Sequence, residues 1–527
     1  MASNTTTAKP IHPEHSESLW QGLSSYIVVF TASGCVLALE IVAGRILAPI
    51  IGVSLYTWTS IIGIVLAGIS IGNYLGGVIA DRFPGRHVLG LVLLSSSVGS
   101  ISILPLIEIT SDGFSSVPIA MRIVLLTTIL FSMPSVMLGM ITPIVVKLRL
   151  SDIALTGNIV GKTYAVSTAG SIFGTFITGF MLIQWVGTRW VLLAVAVVLF
   201  LLALAFGRPW KMKIPTAILL AIFIVVGTFA VKMGSLRASC LVESSYYCIN
   251  ISEQESNGRD VSTLSLDNLI HSYIDLDDPT FLVYEYERLF ADISTYIGER
   301  NPHFNSLFIG GGGYTMPRFI ETQYGESKIE VVDIDPAVTE VVHDYLGMPR
   351  DTSIITYNND ARTKFFELPE NNYDLIAGDA FNHFSVPYHL TTLEFNKRIK
   401  ELLKDDGIYV MNVIDKLHSG RFLRAIAHTL EQTFEFVYLM NDNPDWSNDD
   451  RYTFVVVASD TPISLSDIEE ANASAGRLSI EFIQTHSTHI MSSEAYNAWI
   501  NDKDNILLTD DFVPVDNLLA PLFIDEN

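Results

Sequence analysis

Charged side chains are scarce for a chain of this length. Asp, Glu, Lys and Arg make up 17% of the 527 residues, hydrophobic residues make up 49%, and mean hydropathy is +0.37. One soluble globule is excluded by those proportions, and the length leaves room for two or three domains. Cysteine is scarcer still, with three residues. No second cysteine pair or close histidine pair accompanies Cys240 and Cys248, which argues against a zinc site, and no metal is expected. Basic residues are outnumbered 32 to 56, giving a formal charge of −24. The imbalance is local: up to Arg237 there are 14 Lys/Arg against 7 Asp/Glu, and beyond it 18 against 49. An acidic second half disfavours nucleic acid and anionic lipid and would concentrate cations such as amines. It is equally suited to be a solubilising surface in a salty habitat.

What the first half has instead is apolar length. Seven hydrophobic runs, centred near Val36, Val65, Val98, Phe131, Phe173, Val198 and Ile222, meet the spanning requirement of about 17 to 25 residues. The fourth carries Pro134 and Pro143 and is expected to be kinked rather than split. The first twenty residues are polar, so no cleavable signal peptide is expected and the first run itself would direct insertion. Arg82, Arg86, Lys147, Arg149, Lys162, Arg208, Lys211 and Lys213 fall in alternate loops, which should face the cytoplasm. Seven crossings then put the acidic half on the outer side of a cell membrane. Gly68-Ile69-Ser70-Ile71-Gly72 and Gly170-Ser171-Ile172-Phe173-Gly174 predict close helix packing. Glu40 and Arg45 are ionisable groups inside the first run, and each should either bond a neighbouring element or contact a polar substrate.

Cys240 and Cys248 flank the start of the acidic half. They could form a short-loop disulfide in an oxidising compartment or remain two buried thiols. Residues 240–285 read as a hairpin-like β portion, followed by an amphipathic helix around Arg288 to Ile297. Strands are expected at Ser306–Ile309, Lys328–Val332, Ser353–Thr356, Tyr373–Ala377, Ile408–Val413, Phe434–Leu439 and Thr453–Ala458. Their alternation with helices predicts a mostly parallel sheet. The strand ends carry Leu307-Phe308-Ile309-Gly310-Gly311-Gly312-Gly313-Tyr314, then Val331-Val332-Asp333-Ile334-Asp335-Pro336, then Asp360 with Ala361, then Asp379. A glycine turn lets backbone press against a ligand, and a carboxylate ending the next strand can take a ribose diol. The expected boundaries are a polar tail at 1–22, a transmembrane helical domain at 23–236, a small β subdomain at 237–285, a Rossmann-like nucleoside domain at 286–460 and a helical extension with a clasp at 461–527.

The order of glycine loop, Val-Asp-Ile-Asp-Pro, Asn359-Asp360-Ala361-Arg362 and Tyr373-Asp374-Leu375-Ile376-Ala377-Gly378-Asp379-Ala380 resembles the spermidine synthase family over about residues 240–460. With the helices, the chain is similar to membrane-fused spermidine synthase-like proteins. The loop Gly77-Val78-Ile79-Ala80-Asp81-Arg82-Phe83-Pro84-Gly85-Arg86 resembles the one between the second and third helices of major facilitator transporters. Seven helices are barely more than half of such a transporter, which a homodimer could complete. The first resemblance implies an S-adenosylmethionine methyltransferase-like fold and decarboxylated S-adenosylmethionine, or S-adenosylmethionine itself, as donor. Methylthioadenosine would be the product and an amine of the polyamine class the acceptor. It further implies that Gly310, Gly311 and Gly312 approach the nucleoside and sulfonium tail, that Asp333 with Asp335 serves the ribose end, and that Asp360 with Ala361 faces the adenine. Asp379 would accept the proton of the attacking amine.

Several positions depart from the family pattern. Gly313 stands where an acid of Gly-Gly-Gly-Asp-Gly-Gly is expected, and Asn382 replaces the second acid of Asp-Ser-Ser-Asp-Pro. Tyr247 and His271 occupy the places of two donor-contacting glutamines, and Glu287 falls near a Tyr-His-Glu substrate motif. A different amine, or nucleoside binding without catalysis, therefore stays open. So does a polyamine or nucleoside transporter or sensor with a noncatalytic synthase-like domain. His383, Tyr388 and His389 follow Asp379 on a loop that could cover the site. Leu508 to Asp516 could bind a cation or dock as a clasp.

Overall fold

The structure is a computed structural model that describes residues 19–111, 113–114, 117–150, 156–237, 240–380, 386–443, 445–477, 488–503 and 505–524. Two compact units result. One comprises Met1–Ala43, Ile61–Ile109 and Thr127–Leu236, the other Gly44–Ser60, Thr110–Leu126 and Arg237–Asn527.

Among the described residues, seven helices are long and apolar enough to cross a membrane: α1 (Leu23–Ile51), α2 (Leu55–Arg82), α3 (Arg86–Thr110), α4 (Ile119–Arg149), α5 (Thr156–Val186), α6 (Thr188–Gly207) and α7 (Lys213–Met233). In α4 the regular pattern breaks at Met140, where the Met140 N–H reaches the Val136 carbonyl at 3.3 Å and the Ile144 N–H reaches Met140 at 3.4 Å. Pro143 has no N–H to offer the preceding turn, which interrupts the bonding pattern there while the chain stays helical through Met140. Both small-residue stretches sit at backbone contacts. A Cβ on Gly68 would lie 2.6 Å from the Ser135 side chain, and one on Gly72 would run into the Val136 carbonyl. Gly170 and Gly174 press in the same way against Phe30 and Gly34. Asp81 pairs with Lys147 at 2.7 Å, but both are largely exposed and the pair contributes little. Glu40 is half-buried on α1.

The carboxyl-terminal part of the second unit starts with an antiparallel four-stranded sheet, ordered β1 (Val242–Glu243), β2 (Cys248–Ser256), β3 (Arg259–Leu266), β4 (Leu269–Ile274). Asn257 and Gly258 join β2 to β3 with φ of 51° and 76°, the two-residue turn whose twist matches that of the strands it connects. Cys240 and Cys248 are disulfide-bonded. Helix α8 (Glu285–Gly298) follows, and then a second sheet of eight strands. Its strands are β5 (Asn305–Ile309), β6 (Lys328–Asp333), β7 (Ile355–Asn358), β8 (Tyr373–Gly378), β9 (Leu403–Lys416), β10 (Phe436–Asn441), β11 (Arg451–Ser459) and β12 (His489–Ile490), in the spatial order 12-10-11-9-8-5-6-7.

Only the 9-8-5-6-7 side is parallel; β11, β10 and β12 run antiparallel. The sheet is mostly parallel, as expected, with an antiparallel arm added at one edge. Strands β10 and β11 are joined by a short connection without a crossover helix, so they must return as a hairpin. The third strand lies two residues beyond the expected span, and β9 extends to 14 residues. Helices α9 (Thr315–Gln323), α10 (Pro336–Tyr345) and α11 (Ala361–Phe365) each follow a parallel strand. Leu264, Leu266 and Ile274 of the small sheet share one buried cluster with Phe308, Val331 and Leu375 of the large one. That shared core brings β4 against the glycine loop. Helices α12 (Leu393–Leu402), α13 (Phe422–Glu431), α14 (Leu465–Ser474), α15 (Ser493–Ile500) and α16 (Val515–Ile524) complete the domain.

Candidate active site

Strand β5 is buried from Ser306 on and ends at Gly310, whose φ of 91° admits glycine far more readily than any residue with a Cβ. A Cβ there would also collide with the Asp379 carbonyl, and Gly312 turns positive as well, at 48°. Tyr314 closes the turn at φ 58°, fully buried, with its hydroxyl between Thr339 and Thr356 at 3.0 and 3.2 Å. Asp333, ending β6, accepts from the Gly311 N–H and the Asp335 N–H, both at 2.8 Å. Burial raises its pKa although those donors oppose the shift. One carboxylate thus holds two loops and still faces the cavity they enclose.

That first cavity, about 90 Å³, is lined by Tyr247, His271, Gly310, Gly312, Asp333, Asp360, Ala361, Asp379 and His389, with apolar neighbours. Asp360 caps α11 through the Thr363 N–H at 2.9 Å and meets His389 Nε2 at 2.9 Å. Burial works against its ionisation, but those partners prevail and hold the carboxyl below its usual range. A second cavity, about 510 Å³, is lined by Tyr284, Glu285, Tyr286, Asn412, Arg451 and Tyr452, among others. His271, Gly312 and Asp379 line both.

Asp379, just past the end of β8, is the junction. Its Oδ2 accepts from the Tyr286 hydroxyl at 3.1 Å and its Oδ1 from the Asn412 amide at 2.5 Å. Burial pushes its pKa up to about 6, against the pull of those two donors. Glu287 lies one residue past Tyr286 on α8, 2% exposed, and burial together with the Asp379 charge pushes its pKa up to about 8. Near neutral pH the proton therefore sits on Glu287 and the charge on Asp379.

Two expected ligand contacts are corrected. Asp335 is off the cavity wall: it is 1% exposed, caps α10 through the Ala337 N–H and bonds the Ser244 hydroxyl. Glu287 lines neither cavity, because the first turn of α8 points it into the core. Gly311 braces Asp333 without lining either cavity. Asn382 and His383 lie outside the described residues. At Gly313, a Cβ would come within 2.6 Å of both the Ser272 and Ile274 side chains, so strand β4 leaves no room for the acid of the family pattern.

Arg45 reaches the carbonyls of Ser244 and Tyr246 at 2.7 Å each, bracing the disulfide-closed loop that carries Tyr247. That is a structural bond rather than a substrate contact. The 508–516 segment docks as a clasp: Asp510 pairs with Arg362, and the Leu508 carbonyl accepts from the Leu393 N–H.

Tyr286 and Asn412 are the partners of Asp379 that sequence reading missed. They stand 93 and 33 positions from it, and only the docking of α8 and the adjacency of β8 and β9 bring them together.

Residues 297–446 match the family model described as Spermine/spermidine synthase domain. A polyamine aminopropyltransferase of Vibrio vulnificus is 36% identical over 108 residues, covering 20% of this chain and 36% of that protein. Polyamine aminopropyltransferase 1 of Aquifex aeolicus is 30% identical over 172 residues, covering 31% and 60%. The chain thus spans between about a third and three fifths of these two relatives' lengths. A crystal structure of a probable spermidine synthase from Corynebacterium glutamicum aligns with 50% of this chain and 94% of its own, at 21% identity and a TM-score of 0.44. The carboxyl-terminal part of this protein carries a spermidine synthase domain.

Proposed function

We propose that this domain transfers an aminopropyl group from decarboxylated S-adenosylmethionine, or a related sulfonium nucleoside, to a small amine, and that the seven apolar helices hold it in a membrane. The observation that carries the reading is Asp379, a buried carboxylate oriented by two donors at the wall shared by two cavities. The lining of the first cavity suits a nucleoside. Its floor is glycine where a Cβ would obstruct, and Asp333 and Asp360 stand at successive strand ends.

A bound donor would supply an electrophilic carbon next to a sulfonium. Tyr247, Gly310, Gly312, Asp333 and Asp360 would hold and orient it. Asp379, ionised, accepts a hydrogen bond from the amine arriving through the second cavity and fixes its lone pair toward that carbon. It takes the amine proton as the N–C bond forms and the C–S bond breaks with its electron pair going to sulfur. His271 and Gly312 line both cavities and so border the path between the reactants.

Calorimetric titration with S-adenosylmethionine, its decarboxylated form and methylthioadenosine, followed by mass spectrometry with added polyamines, tests the reading. Binding with an aminopropylated product supports it, and no binding of any of the three refutes it. The arrangement of Lys and Arg in the loops supports an outer placement of the domain. Ser474 is exposed. Ser474→Cys should then react with an impermeant thiol reagent on intact cells, and labelling only after lysis would reverse that side.

A further inference from the structure

A third pocket, about 270 Å³, adjoins the start of α13 and shares no residue with the two described above. Ser419, Arg421, Arg424, Lys503 and Asn505 contribute its polar wall. Arg424, in the first turn of α13, is 3% exposed. Its Nε and both terminal nitrogens are buried and donate to no group among the described residues. The guanidinium stacks on Trp499, 4.7 Å from the ring centroid, and burial lowers its pKa while Asp502 and Asp415 act in the other direction. Neither carboxylate bonds it. Asp415 instead accepts from the Lys416 and Leu423 N–H groups at 2.9 and 2.8 Å, tying down the helix start.

An arginine does not escape burial by losing its proton, and a guanidinium without acceptors is among the costliest groups to enclose. Three features of the same wall point to the acceptor it would take. Arg421, exposed, adds a second guanidinium. Lys503 adds an ammonium that already donates to the His418 carbonyl at 2.6 Å and retains further N–H groups. The Asn505 side-chain oxygen is buried and accepts from no described residue, while its amide nitrogen donates to the Ile500 carbonyl at 2.8 Å. Several fixed donors beside one acceptor match an oxyanion that carries a hydroxyl of its own, which hydrogen phosphate does and sulfate at neutral pH does not.

We infer that the pocket at the start of α13 binds a phosphate or phosphomonoester group through Arg424, Arg421 and Lys503. The group can come from the free ion or from a phosphomonoester lipid headgroup, and the experiment separates the two. The purified full chain is titrated calorimetrically with sodium phosphate and with sodium sulfate, and separately with phosphatidylcholine nanodiscs with and without phosphatidic acid. Saturable binding of phosphate that exceeds that of sulfate and weakens about tenfold or more in Arg421→Ser supports the site. Binding seen only with phosphatidic acid, and lost in Arg421→Ser, supports it with the lipid as source. Arg421 is at the exposed rim, so its replacement keeps the test valid if Arg424→Met fails to fold. Absence of saturable binding to both phosphate sources, or equal affinity in wild type and Arg421→Ser, overturns the inference.

Discussion

The two compact units use glycine and polar side chains in opposite ways. In the helical unit glycine is missing volume. Gly72 and Gly139 meet across α2 and α4, and Gly90 meets Gly207 across α3 and α6, so that backbones touch. Polar side chains there tie helix to helix: the Ser97 hydroxyl donates to the Ala196 carbonyl at 2.7 Å, and Arg189 pairs with Glu108 at 2.5 Å. In the carboxyl-terminal domain Gly310 supplies a backbone angle beside the first cavity. Carboxylates there are buried at a cost that packing alone would not select, with Asp379 and Glu287 both pushed toward their neutral forms. The first unit is built for contact, and the second stores electrostatic strain where the chemistry is proposed.

The largest effect that would sharpen this contrast is at Asp379. Asp379→Asn should lower kcat by about 10²–10⁴-fold while nucleoside affinity stays within a few-fold. Its thermal stability above pH 6 should equal or exceed that of wild type, since a desolvated charge is removed. A drop in stability matching the drop in rate would erase the distinction between the units. The helical counterpart is Gly72→Leu, whose side chain would have to displace the Val136 backbone. Destabilisation by about 1–3 kcal/mol or more is expected, read as a lower midpoint of helix loss in denaturant. An unchanged midpoint would mean that α2 and α4 do not need their close approach.

Sequence displayed one side of the second unit well and the other poorly. Strands β5, β6 and β8 are apolar runs that end in Gly310, Asp333 and Asp379, so both their positions and the ligand edge of the sheet could be read from the chain. The antiparallel arm could not be, because β10 and β11 have the same apolar pattern whether they return directly or cross over. Asp335 and Asp333 differ by two positions and look alike in the motif. Only the turn into α10 decides that one caps a helix and the other faces the cavity. Tyr286, Asn412 and Arg424 lie in stretches without motif character, and their significance rests on tertiary neighbours alone.

A smaller effect concerns pH. With Asp379 acting as base at a pKa of about 6, kcat/KM should rise with pH through that value. The Tyr286 hydroxyl stabilises the charged carboxylate, so Tyr286→Phe should move the rise to higher pH by a few tenths of a unit to about one unit. A profile flat between pH 5 and 8 in both proteins would remove Asp379 from the rate-determining proton transfer.

The subtlest test separates Glu287 from Asp379. Glu287 is buried and its pKa is raised from 4.5 to about 8, so the folded protein holds a proton that the unfolded chain releases. The stability tied to that proton is fully present below about pH 4.5 and declines as pH rises through about 8. Gln keeps the shape and cannot ionise. Glu287→Gln should therefore match wild type in thermal midpoint near pH 4.5 and exceed it progressively up to pH 8, with a plateau above, on the order of a few kcal/mol. Because Glu287 is already neutral where Asp379 titrates, the activity rise near pH 6 should stay in place in Glu287→Gln. A stability difference that does not vary with pH would mean that Glu287 is charged in the folded state, and then the two carboxylates could not divide proton and charge between them.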